Sequence, residues 1–245
     1  MAGSQQTFDA VINRFKDGNV LVQGWGDYSP SNNLIKKPAL MLFITSVEGS
    51  NTLVDTTEGA LDTQRNIRGP LVFEIKLTNP TCLETRIRGI HSYLKSDPDN
   101  TAFKSAAKSV GEVLKKMRPQ YKKQAEGAPR GAGKSPSEKS FASAVGQGQK
   151  VITIITGLGL PYAPADANLN VVNMTALVNS IETGNENVQK AMEDYGVANK
   201  ARLKLYEGID GLKKRRSAIL SYLASFPGLK KSDHYREYNQ AIKGT

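Results

Sequence analysis

Cysteine is almost absent from this chain. Cys82 is the sole cysteine in 245 residues, so no intrachain disulfide can form, and a reducing, cytoplasmic setting is expected. Histidine is nearly as scarce, at His91 and His234 only. One cysteine and two histidines cannot complete a tetrahedral zinc site unless carboxylates join them, so neither metal nor cofactor is expected. Aromatic residues make up 7% and apolar residues 39%, which suits helices with one apolar stripe better than thick sheet sandwiches. No apolar run approaches the roughly 18 residues that a membrane-crossing helix needs. The longest candidate, residues 151–160, is short and interrupted by Gly157 and Gly159. The start, Met1 to Asp9, is polar, so no secretory signal is expected.

What the chain does contain is itself, twice. Tyr28-Ser29-Pro30 returns as Tyr162-Ala163-Pro164, and Ser46-Val47-Glu48 returns as Ser180-Ile181-Glu182. Ile90-His91-Ser92-Tyr93-Leu94 returns as Ile219-Leu220-Ser221-Tyr222-Leu223. The three matches keep their order, at offsets of 134, 134 and 129. A repeat of this period implies a tandem duplication, with residues 1–124 as a first helical repeat, 125–139 as a linker and 140–245 as a second. The linker is dense in glycine, proline, serine and lysine, a composition that cannot nucleate a core.

The pattern within each repeat is helical. Phe8, Val11, Ile12 and Phe15 recur at helical spacing, as do Phe141, Val145, Gly148, Ile152 and Ile155 in the second copy. Gly24-Trp25-Gly26 and the run from Gly157 to Pro161 should end these leading helices, and the Tyr-x-Pro turns follow. A long stripe then runs from Leu177 to Leu223, with Leu177, Ile181, Ile209 and Leu212 expected to pack. About 50 residues of helix would span about 75 Å. Such a helix needs its twin, a second chain, or a fold-back at Gly184, with Gly49 the matching place in the first copy. Gly69-Pro70 and Asn79-Pro80 should kink or stop the first long helix. Residues 71–77 alternate in the manner of a strand, but their counterpart is helical and helix is expected. Short tail helices should begin at Thr101 and Ser232. The expected fold is all-α, with long helices packed as a bundle or an antiparallel coiled arrangement.

Charge is unevenly placed. The net charge of +10 arises from residues 104–139 and 200–231, each carrying +7, while the remainder sums to −4. Lys115, Lys116, Arg118, Lys122 and Lys123 in the first copy, and Lys213, Lys214, Arg215 and Arg216 in the second, are therefore candidate contacts for a nucleic acid or another polyanion. Solvated lysines on long helices are the commoner use of such runs, and four consecutive cations wrap around a helix rather than face one backbone. Only Tyr121 lies near enough to offer a base a stacking platform.

Catalytic motifs are weak. Gly131-Ala132-Gly133-Lys134-Ser135 resembles the end of a phosphate-binding loop, but Ala128 stands where the pattern wants glycine and Pro136 opposes the helix that should follow. Gly24-Trp25-Gly26 and Gly157-Leu158-Gly159 lack the strand and third glycine of a dinucleotide fingerprint. Trp25 is expected to pack beneath its loop. His91 aligns with Leu220 and reads as a core or boundary residue, and His234 as a surface one. Neither has a nucleophile at a recognisable spacing, so no enzyme activity is expected.

Leu160-Pro161-Tyr162-Ala163-Pro164, the helix from Asn187 to Leu203, and the stretch Leu212 to Leu223 with its basic tail together resemble uncharacterised helical proteins of Bacteroidota-type bacteria. The resemblance covers about the last 105 residues and implies a leading helix, a Tyr-x-Pro turn, a long helix and a tail. Pro70 and Pro80 depart from it. It implies no activity and no site residues. The leading expectation is a non-enzymatic structural or scaffold protein that self-associates as a homo-oligomer through helical surfaces. A polyanion-binding module using the basic clusters is the alternative.

Overall fold

The computed structural model describes residues 2–73, 81–117, 138–225 and 233–243, with side chains from Phe8 in the first stretch and from Phe141 in the third. The expected linker lies outside them, except that Glu138 and Lys139 begin a helix. Eight α-helices are described: α1 (Ala2–Gly24), α2 (Lys37–Val72), α3 (Leu83–Lys95), α4 (Thr101–Met117), α5 (Glu138–Gly157), α6 (Val171–Glu207), α7 (Leu212–Ser225) and α8 (Asp233–Lys243). Single 3₁₀ turns, Asn33–Ile35 and Ala167–Leu169, precede α2 and α6. There is no strand among the described residues, and the fold is all-α.

The helix boundaries resolve the open alternative at Gly49 and Gly184 and depart from expectation at Pro70 and after Glu207. Both long helices are unbroken, α2 through Gly49 and α6 through Gly184, so neither folds back there. At Gly184 the absent side chain makes room for Arg68, whose Cγ would lie 3.3 Å from an added Cβ. Pro70 sits inside α2 without stopping it. It falls two residues before the helix end, where its missing N–H removes one intrahelical bond, and the Phe73 N–H still reaches the Gly69 carbonyl at 3.2 Å. The second stripe does not form one helix of about 75 Å, because α6 ends at Glu207. Gly208 donates to the Lys204 carbonyl at 2.9 Å, and a Cβ at Gly208 would collide with that oxygen. Ile209, expected to pack, is 84% exposed in this turn, whereas Leu177, Ile181 and Leu212 are buried.

The chain divides into two compact units, and neither coincides with a sequence half. The first comprises residues 1–60 and 191–245; the second comprises 61–190. In the first, α1 packs on α8 and α8 on α7, around Phe15, Val22, Phe43, Tyr206, Ile219 and Tyr238. In the second, α4 packs on α5 and on α3, around Leu83, Ile90, Val110, Phe141, Val151 and Met174. Each unit joins the leading helix of one sequence half to the trailing helices of the other.

Contacts within the units recur at, or within one residue of, the offsets of the sequence matches. The Tyr28 hydroxyl donates to the Ile35 carbonyl at 2.9 Å, and the Tyr162 hydroxyl donates to the Leu169 carbonyl at 2.7 Å. Tyr28 meets Tyr222 edge-on with ring centroids 5.1 Å apart, and Tyr162 meets Tyr93 likewise at 5.4 Å. The Ser29 N–H donates to the Tyr222 hydroxyl at 3.1 Å, and the Ala163 N–H to the Tyr93 hydroxyl at 3.3 Å. Arg215 bonds the Leu34 carbonyl, and Arg86 bonds the Asn168 carbonyl at 3.3 Å. Arg202, 2% exposed, lies 4.3 Å over the Phe8 ring, and Arg68, 3% exposed, lies 3.7 Å over the Phe141 ring. Stacking on an aromatic face suits a guanidinium that must be partly desolvated.

Two outcomes follow from this arrangement. Replacing Tyr28 or Tyr162 by Phe keeps the ring contact but orphans a carbonyl, so each change should cost about 1 kcal/mol in urea unfolding. Burial, reinforced by the facing tyrosine, pushes the Tyr28 and Tyr162 hydroxyls well above the usual tyrosine range. Their stabilising effect is therefore intact below the unfolded tyrosine value near about 10 and is lost as pH rises towards the folded values. The double Phe variant should lose less stability with rising pH above that point, and an unchanged slope would contradict the assignment.

Each unit also needs both sequence halves. Fragments 1–130 and 131–245, prepared separately, should show no cooperative thermal transition as monomers, and mixing them should restore one by circular dichroism. A cooperative transition in either monomeric fragment would show that the exchange of halves is dispensable.

Candidate anion-binding groove

The cationic runs do not act as blocks, because a helix turns each residue by about 100° from the last. Lys213 pairs with Glu207 at 2.8 Å, and Lys214 is exposed. Arg215 lies 4.2 Å over the Phe43 ring, with its Nε donating to the Asp210 carbonyl at 2.9 Å. Arg216 lines a small cleft beside Arg14 and Ile242. Lys115 and Lys116 are exposed near the end of α4, and only Lys115 reaches the groove described next. Arg118, Lys122 and Lys123 lie outside the described residues, as does the Gly131–Ser135 loop.

The groove runs between α3 and α4 in the second unit, with a volume of about 760 Å³. Its shape follows from capping and amphipathicity. The side-chain oxygen of Asn100 accepts from the Ala102 and Phe103 N–H groups at 3.1 and 3.2 Å, which starts α4 directly after the Asp97-Pro98 turn. Ile87, Ile90 and Leu94 on α3, and Phe103, Ala107 and Val110 on α4, point into the core. The opposite faces then flank a cleft. Arg88, His91 and Lys95 come from α3, at successive turns; Lys104, Lys108 and Lys115 come from α4. Half-buried Leu114 lies at its floor, over the buried Leu94 and Ala107.

Five cations line the groove against two carboxylates, Asp97 and Glu112, a net charge of +3 with His91 neutral. Arg88 pairs with Glu84, and Lys115 pairs with Glu112 at 2.6 Å. That hydrogen bond, with the charge of Lys115 behind it, holds the Glu112 carboxyl below its usual range. Among the described residues, Lys95, Lys104 and Lys108 make no ion pair. His91 stands in the middle, close to Gly111, where a Cβ would lie 3.2 Å from its Nε2. Burial, with Lys95 adding to it, holds the imidazole below its usual range.

Sequence reasoning missed this constellation, because it weighed consecutive charges. The usable signal was periodic: Arg88, His91 and Lys95 share one helix face, and Lys104, Lys108 and Lys115 share another. Two aromatic expectations also resolve. Trp25 is buried, as expected, and His234 is not a free surface residue, for its ring stacks on Trp25 at 4.3 Å and 8° and lies 3.6 Å from Asp27.

The chain offers its own comparison. Arg86 with Arg215, Tyr93 with Tyr222 and Ser96 with Ser225 make matching contacts, so α3 and α7 share a register at offset 129. In that register Ser217, Leu220 and Ala224 stand opposite Arg88, His91 and Lys95. A helix of this kind packs without the cationic face, so the charges on α3 are not a requirement of the fold. No protein-family model, curated protein or solved structure matches the chain.

The position of His91 has a measurable consequence. Its proton NMR titration should have a midpoint below the ordinary histidine value near about 6.5. Lys95→Gln should move it upward but not fully, since burial is the larger cause. A folded value below the unfolded one means that stability falls as pH drops through the unfolded value, while the groove gains positive charge. A midpoint at or above the ordinary value would place His91 in water instead.

Proposed function

We propose that this protein is a non-enzymatic binding protein that captures a polyanionic partner in the α3–α4 groove. The observation that carries the proposal is the contrast between twin helices: α3 presents Arg88, His91 and Lys95 where α7 presents Ser217, Leu220 and Ala224. Cations gathered around an open cleft raise its potential and attract negative partners. What the groove gathers is charge and apolar surface rather than a nucleophile beside a base. We infer further that the two halves derive from one duplicated helical unit, and that the groove is a specialisation of one copy.

A second reading is supported by the exposed face of α2 in the first unit. Leu42, Thr45, Ser46, Gly49, Thr52, Leu53 and Thr56 fall on one side of the helix and carry no charge. The hydroxyls of Thr45, Ser46, Thr52 and Thr56 bond back to carbonyls one turn earlier, so the face is less polar than its composition suggests. This face favours self-association as a scaffold.

Charge-matched variants separate the groove from the overall basic charge. On a heparin column the Lys104→Glu/Lys108→Glu protein should elute at distinctly lower salt than the parent, and Lys213→Glu/Lys214→Glu should shift less. Equal shifts would assign retention to net charge and sink the groove. Sedimentation of the parent at high micromolar concentration tests the second reading, which a strictly monomeric protein removes.

A further inference from the structure

We propose that the occupant of the α3–α4 groove is an acidic amphipathic helix of a partner protein, an inference that rests on the groove being the binding site. Three observations select this class among polyanions. The cations lie along the groove with helical periodicity, Lys104, Lys108 and Lys115 on one rim and Arg88 and Lys95 on the other. Lys104 to Lys115 covers about 16 Å of helix axis at 1.5 Å per residue, or about three turns of a helix laid alongside. Carboxylates at positions three, four and seven apart on such a helix meet these rims.

Leu114, half-buried, is the apolar side chain that the floor leaves accessible, above the buried Leu94 and Ala107. A purely charged strand leaves that surface without a use, whereas the apolar stripe of an amphipathic helix covers it.

Among the described residues, no tyrosine, tryptophan or phenylalanine lines the groove, and Tyr121 lies outside them. Tyr93 and Phe103, the neighbouring rings on these two helices, pack on each other with centroids 5.9 Å apart, and Tyr93 also meets Tyr162. Bases of a single strand would therefore find no stacking platform among the described residues, and stacking is where much of the affinity of single-strand binders resides. The charge is thus placed for a polyanion that brings its own apolar face.

The experiment uses the full-length protein and fluorescence anisotropy with three probes: a labelled 14-residue peptide, at about four helical turns, with glutamates flanking a leucine stripe; a scrambled peptide of the same composition; and a short oligothymidylate. The amphipathic peptide should bind at least ten-fold more tightly than the scrambled one, and Lys104→Glu/Lys108→Glu should weaken it at least ten-fold. Equal binding of both peptides, abolished by the same variant, would overturn the helix and leave the groove as a charge-reading site. Tighter binding of the oligothymidylate would overturn it in favour of nucleic acid. No binding of any probe at low salt would overturn both the helix and the groove.

Discussion

The structure depends on a tyrosine that closes a turn in its own sequence half and is held there by a tyrosine from the other. Tyr28 and Tyr162 each bond a carbonyl seven residues ahead, at Ile35 and Leu169, and so fix the 3₁₀ turn from which a long helix departs. Each is held edge-on by a tyrosine from the opposite half, Tyr222 or Tyr93, whose hydroxyl also accepts the N–H after the turn tyrosine. The turn and the trailing helix therefore order one another. The core of each unit is consequently shared between halves, and burial of its apolar surface is available only when both are present.

Because the two units reuse the same contacts, differences between them are informative. Arg86 and Arg215 reach back to equivalent backbone oxygens, which makes them structural cations despite their charge. Arg68 and Arg202 lie over Phe141 and Phe8 in matching positions. Arg88, His91 and Lys95 have no such twin, for Ser217, Leu220 and Ala224 replace them. Cations that recur serve the fold, whereas of those that appear on one side only Arg88 pairs with Glu84 on its own helix and Lys95 makes no ion pair among the described residues. That distinction separates Arg215, locked over Phe43, from Lys108, which faces an open cleft.

The amino-acid sequence alone determined that the chain is helical, where the leading helices end, and that basic residues concentrate in residues 104–139 and 200–231. These properties are local: periodicity, glycine, proline and capping residues act within a few residues. It left continuity at Gly49 and Gly184 open, where packing of a long helix outweighs modest propensity penalties, and it placed Ile209 in a seam that the Gly208 turn interrupts. Only the tertiary structure decided that helices of opposite halves complete each unit, and that Arg88, Lys95, Lys104 and Lys108 converge around His91. That convergence depends on which faces of α3 and α4 the core consumes, and a charge is free to meet a partner only on the faces that remain.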